Sequence, residues 1–462
     1  MYAKCVLPLI LLVFLAAAAR ARQEAGSLAD AAPPEEPFAG APQLDRRALL
    51  EAVARRNPTL DAARLAWEAA AARPLQERAL PEPMLSYGVA PGSIAGSGVR
   101  FGQQIELSQD LPLPRRRRLR ADRAAAEARA AAADYRSVLL DLLTAASRLY
   151  DDDWLVGRSL AIVAQHRALL GELQRVAAGR YAAGLVPQQD PIQAELEGAK
   201  MLHRQVELEA EREAIASRLD AFLHLPADYP LPPPPLAEPV FGEVQPEPGA
   251  LVAAALAERP EVAAGAAEVE ARRTAVALAR LAGTPDLALR GSYSSLWDPP
   301  GYRWMAGIAV NLPLRRERLA GQRAEAEAGL ARAQAELAAT EDRVRAEVRN
   351  TAIAVEEARH SLAIFESRLL PAAHDQVQAA RSGFETGRAS FLGLIDAERS
   401  LRDVELGREQ AVADLHRRQA ELDRALGRLP AGLPPELLDP AAKRPAPVSP
   451  PLPERHQEEG AR

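Results

Sequence analysis

Two periods alternate along this chain. Between Val99 and Leu111 the odd positions (Val99, Phe101, Gln103, Ile105, Leu107, Gln109, Leu111) are mostly apolar. The even ones (Arg100, Gly102, Gln104, Glu106, Ser108, Asp110) are polar or glycine. Alternation of this kind puts successive side chains on opposite faces of a strand. The segment before it, Met84 to Ala90, sets Leu85, Tyr87 and Val89 against Met84, Ser86, Gly88 and Ala90. Further on, Leu287, Leu289, Tyr293 and Trp297 oppose Arg290, Ser292 and Ser294. Tyr302, Trp304, Ile308, Val310 and Leu312 oppose Arg303, Met305, Gly307 and Asn311. Four strands are therefore predicted, at about 84–90, 99–111, 286–297 and 302–312. They form two hairpins with turn sequences at Pro91–Gly98 and Asp298-Pro299-Pro300-Gly301.

Elsewhere the pattern is helical. A short helix must end before Asn57-Pro58, because the residue before proline is pushed out of the α region. A second helix runs to about Ala79, where Pro81 and Pro83 stop it. Long helices then follow each hairpin, from about Arg115 to Gly179 and from about Arg315 to Arg381. At 1.5 Å per residue each reaches roughly 100 Å. In the second, Leu330, Leu337 and Val344 recur at heptad spacing, and the phase then slips by four to Val348, Val355, Leu362 and Leu369. That describes a coiled coil with a local change of winding. Pro371 is expected to kink it. A glycine turn ends each long helix (Gly184-Leu185-Val186-Pro187, Gly387-Arg388-Ala389-Ser390), and a further helix returns to about Leu225 or Leu429.

The elements come in matched sets. Ala48 to Pro58 aligns with Ala250 to Pro260 at an offset of about 202 residues. The same offset, within a residue, carries Pro83 onto Pro285, Leu111-Pro112-Leu113 onto Leu312-Pro313-Leu314, and Arg180–Gly184 onto Gly383–Gly387. Alanine-rich low complexity could imitate a repeat, but not one that aligns prolines, glycines and strands together. The chain reads as a duplication, residues 45–225 and 249–429, joined by a proline-rich linker at 226–248. Residues 22–44 are a proline-containing lead, and 430–462 form a proline- and charge-rich tail read as disordered.

Composition narrows the class. Hydrophobic residues make up 48% but aromatics only 4%, which suits closely packed helices better than a large globular core. The net charge of −6 is spread as mixed signs, so nucleic acid is not an expected partner. Lys4, the apolar run Val6–Ala19 and the Ala19-Arg20-Ala21 site read as a signal peptide over residues 1–21. An N-terminal anchor is the alternative, but the run is short of the roughly 20 residues a spanning helix needs. The lone Cys5 falls inside that signal. The seven histidines are scattered, with no His-x-x-x-His pair, and no phosphate-binding loop or catalytic constellation is present. No enzyme activity, cofactor or metal site is expected.

Four strands cannot close on themselves. An open sheet in lipid leaves backbone groups unpaired at several kcal/mol each, so a lipid-facing sheet must be completed by further copies. Two copies give a filled barrel and three give twelve strands with room for a lumen. Tyr87, Trp297, Tyr302 and Trp304 are candidates for an aromatic girdle at the lipid interface. A sheet packed on a soluble core has the same alternation, but these helices are too long and alanine-rich to cover a small sheet.

The ordered set of features resembles the TolC-type outer-membrane factor (outer membrane efflux protein) family over about residues 45–429. The features are the duplication, the Asn-Pro break, the Leu111-Pro112-Leu113-Pro114-Arg115 run and the paired tips, Arg180-Tyr181-x-x-Gly184-Leu185-Val186-x-x-x-Asp190 and Gly383-Phe384-x-x-Gly387 followed by Leu392-x-Leu394-Ile395-Asp396-Ala397. The proline run is more like the heavy-metal branch (CzcC- or CusC-like). The resemblance implies a mainly α chain with a small transmembrane β part. It implies a homotrimer whose twelve-stranded barrel continues into a periplasmic helical barrel. It further implies an outer-membrane exit duct of a tripartite efflux system for heavy-metal cations, working with a periplasmic membrane-fusion adaptor and an inner-membrane RND-type pump. By the same resemblance Arg180, Tyr181, Gly184, Leu185, Val186, Phe384, Gly387 and Arg388 are adaptor-facing tip residues. Asp396 and Asp190 are candidates for an acidic constriction. Gly393 departs from the pattern, since an acidic residue stands there in some members. Arg115–Arg118 and Arg315, Arg316 and Arg318 stand where the chain leaves the barrel and could touch lipid phosphates or simply be solvated. Two rival readings remain at this point: a drug-efflux or type I secretion channel of the same fold, and a soluble periplasmic coiled-coil adaptor.

Overall fold

The computed structural model describes residues 40–91, 101–227, 229–235 and 247–441, together with Phe38 and Ala237. The proposed signal peptide, most of the first hairpin loop, the middle of the linker and the tail beyond 441 lie outside the described residues. Residues 1–42 form a unit of their own, in which a turn joins Ala41 N–H to the Phe38 carbonyl at 3.1 Å. The remainder is one unit.

In that unit the duplication is carried element by element. The first half runs α1 (Arg46–Arg56), α2 (Pro58–Arg78), β1 (Met84–Val89), β2 (Gln103–Leu111), α3 (Pro114–Ala182) and α4 (Gln189–Phe222). The second runs α5 (Pro248–Glu258), α6 (Pro260–Leu281), β3 (Asp286–Ser294), β4 (Trp304–Asn311), α7 (Arg316–Ile364), α8 (Leu370–Glu385) and α9 (Phe391–Leu426). Alanine-rich stretches such as 124–133 favour helix strongly. Pairs at i,i+4 such as the half-buried Arg123–Glu127 and the exposed Arg332–Glu336 add a few tenths of a kcal/mol each. Helix α3 packs against α2, α4, α6 and α9, and α9 packs in turn on α7 and α8. One core cluster lies where α5, α7 and α9 meet Trp154 of α3, around Leu251, Val344, Val348, Val355, Leu362, Val412, Leu415 and Leu422.

The break before proline has a clear physical role. Asn57 ends α1 and caps α2, its side chain accepting from Thr59 N–H at 2.9 Å while its amide donates to the Phe222 carbonyl at 3.0 Å. The matching residue of the second half, Arg259, reaches the Ala425 carbonyl at 3.5 Å. Each half thus clasps the end of its returning helix onto the junction of its first two helices. The returning helices both end in a left-handed residue, His224 (φ 51) and Gly427 (φ 76), and the residue after each donates back into the last turn, to Asp220 and Asp423, at 2.9 Å. At Gly427 a Cβ would lie 2.9 Å from the Arg259 Cα and 3.1 Å from the Glu258 carbonyl, both backbone. Gly427→Ala is therefore expected to cost about 2 kcal/mol by combining left-handed strain with a clash the backbone must absorb. His224→Gly is expected to be neutral or stabilising by up to about 1 kcal/mol. Denaturant midpoints of the two variants check the pair.

At the position of the expected kink the helix takes up an extra residue. Phe365–Leu369 is a π turn, closed by Leu370 N–H to the Phe365 carbonyl, and Pro371 follows at the start of α8. The wider turn accommodates the proline, which has no N–H to give and whose ring crowds the carbonyl four residues back. Phe365 lies against Gly407 of α9, where a Cβ would meet its ring at 2.8 Å. The heptad positions Val344, Val348, Val355 and Leu362 are buried, but Leu369 is exposed, and burial resumes at Ala373 and Phe384. Leu369, the last residue of the π turn, leaves the seam because that turn changes the helical phase.

The four strands form one antiparallel sheet in the order β1-β2-β3-β4. All four are shorter than the alternation predicts, β1 by a single residue at Ala90. Strand β2 begins at Gln103 rather than Val99, β3 ends at Ser294 rather than Trp297, and β4 begins at Trp304 rather than Tyr302. Ser295 ends the central ladder: its hydroxyl donates to the Phe101 carbonyl at 2.7 Å and accepts from Gln103 N–H at 2.8 Å. Residues Pro300–Arg303 then form a 3₁₀ turn, and the Arg303 guanidinium holds the Trp297 carbonyl at 3.1 Å. Trp297 and Tyr302 consequently sit in the loop and not on the strands.

Candidate pore wall and helical tips

The register brings the apolar faces of both hairpins to one side. Tyr87 pairs with Ile105, Ile105 with Tyr293 and Tyr293 with Trp304, making a row across all four strands. The next rows on that face are Leu85, Leu107, Gly291 and Ala306, then Gln109, Leu289 and Ile308, then Leu111, Leu287 and Val310. The opposite face carries Ser86, Glu106, Ser292 and Met305 in one row and Met84, Ser108, Arg290 and Gly307 in the next. The apolar face is uncovered: Leu85 is 69% exposed, Ile308 70% and Trp304 74%. Two polar residues on this face lie towards the strand ends. Gln109 donates to the Pro81 carbonyl at 2.7 Å, and Gln103 accepts from the Tyr87 hydroxyl at 3.4 Å.

All four aromatic candidates are exposed, and they gather at the loop end of the sheet. Tyr87 and Trp304 lie in the first full row, Trp304 against Tyr293 at 5.0 Å between centroids, while Trp297 and Tyr302 lie in the loop beyond. The opposite end of the sheet, where the helices begin, is arginine-rich. Arg116 is held there by Asp286 and by the Leu281 and Thr284 carbonyls, and Arg117 donates to the Arg78 carbonyl at 3.2 Å. Those two arginines tie helix starts to neighbouring chain, which the sequence had no way to specify.

At the far end of the helices the two tips repeat one geometry. Gly184 and Gly387 take left-handed φ values of 71° and 73°. Leu185 N–H donates to the Arg180 carbonyl and Arg388 N–H to the Gly383 carbonyl, at 2.9 and 2.8 Å. Tyr181, Leu185 and Arg388 are exposed and Val186 is partly so. Phe384 is buried, stacked under the Arg180 guanidinium at 4.4 Å and against Phe391 at 5.5 Å, so the turns of the two halves touch directly. Gly393 N–H is capped by the Ser390 hydroxyl at 3.1 Å.

Asp396 stands beyond that cap with its side chain about half exposed. Arg399 holds it at 3.0 Å, and the same guanidinium holds Glu197 of α4 at 2.7 Å. Burial pushes the Glu197 carboxyl up, but hydrogen bonds from Lys200 and Arg399 outweigh it and keep it below its ordinary value. Asp190, in the first turn of α4, is raised by burial. Among the described residues no hydrogen bond or ion pair joins Asp190 to Asp396. Two groups absent from the sequence reading complete this region. His166 of α3 meets Glu405 of α9 at 2.8 Å, and buried Glu398 is raised by desolvation next to them. Their only sequence signal is that α3 and α9 place opposite charges at matching heights along their contact. Arg424 meets Asp141, Arg148 meets Glu421, Arg417 meets Asp152 and Arg158 meets Glu409.

No helix among the described residues is long and apolar enough to cross a membrane. That leaves the sheet as the element whose exposed apolar face needs an explanation. Comparison with known proteins supplies the setting. Residues 251–428 match the family model of outer membrane efflux proteins. The chain is 27% identical over 265 residues to the cobalt-zinc-cadmium resistance protein CzcC of Cupriavidus metallidurans, a match covering 55% of this chain and 60% of that relative. Among solved structures, CusC superposes with a TM-score of 0.72 at 16% identity, over 87% of this chain and 99% of that one. The MtrE outer membrane channel of Neisseria gonorrhoeae, in its open state, gives 0.71 at 20% identity over 83% and 89%. The second half of the chain thus matches the outer membrane efflux protein family, and most of its length shares the fold of CusC and MtrE.

Proposed function

We propose that this protein is the outer-membrane exit duct of a tripartite efflux system, with heavy-metal cations as its cargo. The observation that carries the reading is the sheet: one face is apolar and uncovered, the other polar, and β1 and β4 are edges with no partner among the described residues. Such a sheet satisfies its backbone in lipid only when other copies continue it. Three copies make a twelve-stranded barrel with the polar face on a lumen. Exposed apolar residues on the outer helices, Ile192, Leu196 and Val206 on α4 and Ile353 and Ile364 on α7, supply the matching contacts below it. The tips then form the periplasmic end, where an adaptor engages Tyr181, Leu185, Val186 and Arg388 and links the duct to an inner-membrane pump. The duct is passive, and the pump supplies the energy. The likeness to CzcC supports the metal cargo.

Purified chain is expected to run as a heat-resistant trimer from outer-membrane fractions and to conduct in planar bilayers. A non-conducting monomer in the periplasmic extract would sink the proposal. Deleting the gene is expected to sensitise cells to cobalt, zinc or cadmium. Sensitisation to organic drugs alone would move the cargo to the drug-efflux class. Asp396 is the residue proposed to place charge at the constriction, where three copies approach the axis. Asp396→Ala is expected to reduce single-channel cation selectivity, and an unchanged reversal potential in a salt gradient would remove Asp396 from the gate.

A further inference from the structure

Where β4 passes into α7, a groove is lined by Arg116, Arg120, Arg315 and Arg318 with Asn311 and Gln322, and by no carboxylate. Arg116 is spent on Asp286. Arg120, Arg315 and Arg318 are exposed, and none of them forms an ion pair among the described residues. Three guanidinium groups around one cleft repel one another unless something negative lies between them. The forked geometry of arginine fits a tetrahedral oxyanion better than a monatomic one. The same groove is bordered by Leu312 and Leu314, which are 61% and 80% exposed, so its cationic floor has an apolar rim. Arginine is thus concentrated at the helix end of the sheet and the aromatic residues at the loop end.

We propose that this groove binds a phosphate group, with Arg120, Arg315 and Arg318 as its ligands. The phosphate belongs either to a free oxyanion or to a lipid headgroup whose acyl chain lies along Leu312 and Leu314. The second source rests on the pore reading, which puts those leucines next to lipid. The binding itself does not, and it is measured in detergent whether or not the chain conducts.

The test is calorimetric titration of the full-length protein in an uncharged detergent, with inorganic phosphate as one probe and dihexanoyl phosphatidic acid, below its micelle concentration, as the other. Both probes are expected to bind, more weakly as chloride is raised. The R120Q/R315Q/R318Q variant is expected to lose at least tenfold in affinity, while R332Q, which breaks an exposed ion pair elsewhere, leaves affinity unchanged. Lipid binding at least tenfold tighter than inorganic phosphate assigns the headgroup, and equal affinities assign the free oxyanion. Absence of binding by either probe, or affinities unaltered in the triple variant, overturns the proposal. Thermal unfolding checks that the variant is folded. Should it not be, Arg318→Gln alone decides, with a threefold loss expected and no loss overturning the site.

Discussion

Replacing Ile308 by arginine is expected to abolish insertion of the sheet, while replacing Ser292 by arginine leaves it intact. Ile308 sits in the middle of β4 on the apolar face, beside Leu289. On that face a cation must reach the lipid midplane, at about 2–4 kcal/mol for each substituted side chain. The penalty is repeated in every copy of a closed barrel, so it exceeds what any single-copy interaction can offset. Ser292 faces the other way, between Glu106 and Met305, and an arginine there stays in water. The readout is the fraction of heat-resistant oligomer in outer membranes. If Ile308→Arg inserts as well as the wild type, that face does not meet lipid.

Glu261→Ala is expected to cost about 3 kcal/mol without touching the sheet. Glu261 opens α6 and holds two largely buried arginines at once, Arg259 at 3.0 Å and Arg424. Removing one partner of a buried ionic cluster strands the others, typically at about 3–5 kcal/mol. The lower end applies because Arg259 keeps Glu347 at 2.7 Å and Arg424 keeps Asp141. The pH dependence has a definite sign. Burial raises the Glu261 carboxyl, but hydrogen bonds and charge from Arg424 and Arg259 hold it at about 2. Its folded value lies below the unfolded one, so its contribution is present above about pH 4.5 and lost as pH falls towards 2. Asp151, Asp153 and Asp423 act in the opposite sense. Burial outweighs their cationic neighbours and places them at about 7, 6 and 6, so their contribution fades as pH rises from about 4 to 7. Denaturant midpoints followed from pH 2 to 8 are expected to fall at both ends. Glu261→Gln is expected to flatten the acid side alone, and an unchanged acid limb would show that Glu261 is not ionised in the cluster.

Much of this architecture was legible because it is written in periods. Alternation over Leu85–Val89 and Ile105–Leu107 fixes which face is apolar, and the register later unites those faces across the two hairpins. Asn57-Pro58, Pro81 and the tip glycines mark breaks through local sterics, so the helix ends fall within a few residues of expectation. What escaped was decided by contacts between distant residues. Strand β3 stops short of Trp297 because Ser295 bonds to residues nearly two hundred positions earlier, and nothing around Trp297 announces this. Arg116 looked like one more solvated arginine until Asp286 was placed beside it. The tip aspartates were visible as residue types, but the partners of Asp396 were not, since Arg399 reaches Glu197 only after α4 has folded back along α3.

The π turn before Pro371 makes the length of this helix a discrete quantity. Because it lodges one surplus residue against Gly407 of α9, everything downstream, including the tip that carries Phe384, is swung around the helix axis by roughly 100° relative to an uninterrupted spiral. Losing a single codon there would let the turn relax to ordinary winding with Ala373 and the tip facing as they do now, whereas relaxing it at unchanged length would return Leu369 to the interior and expel Ala373. The angular setting of the second tip is thereby inherited from a feature some twenty residues away.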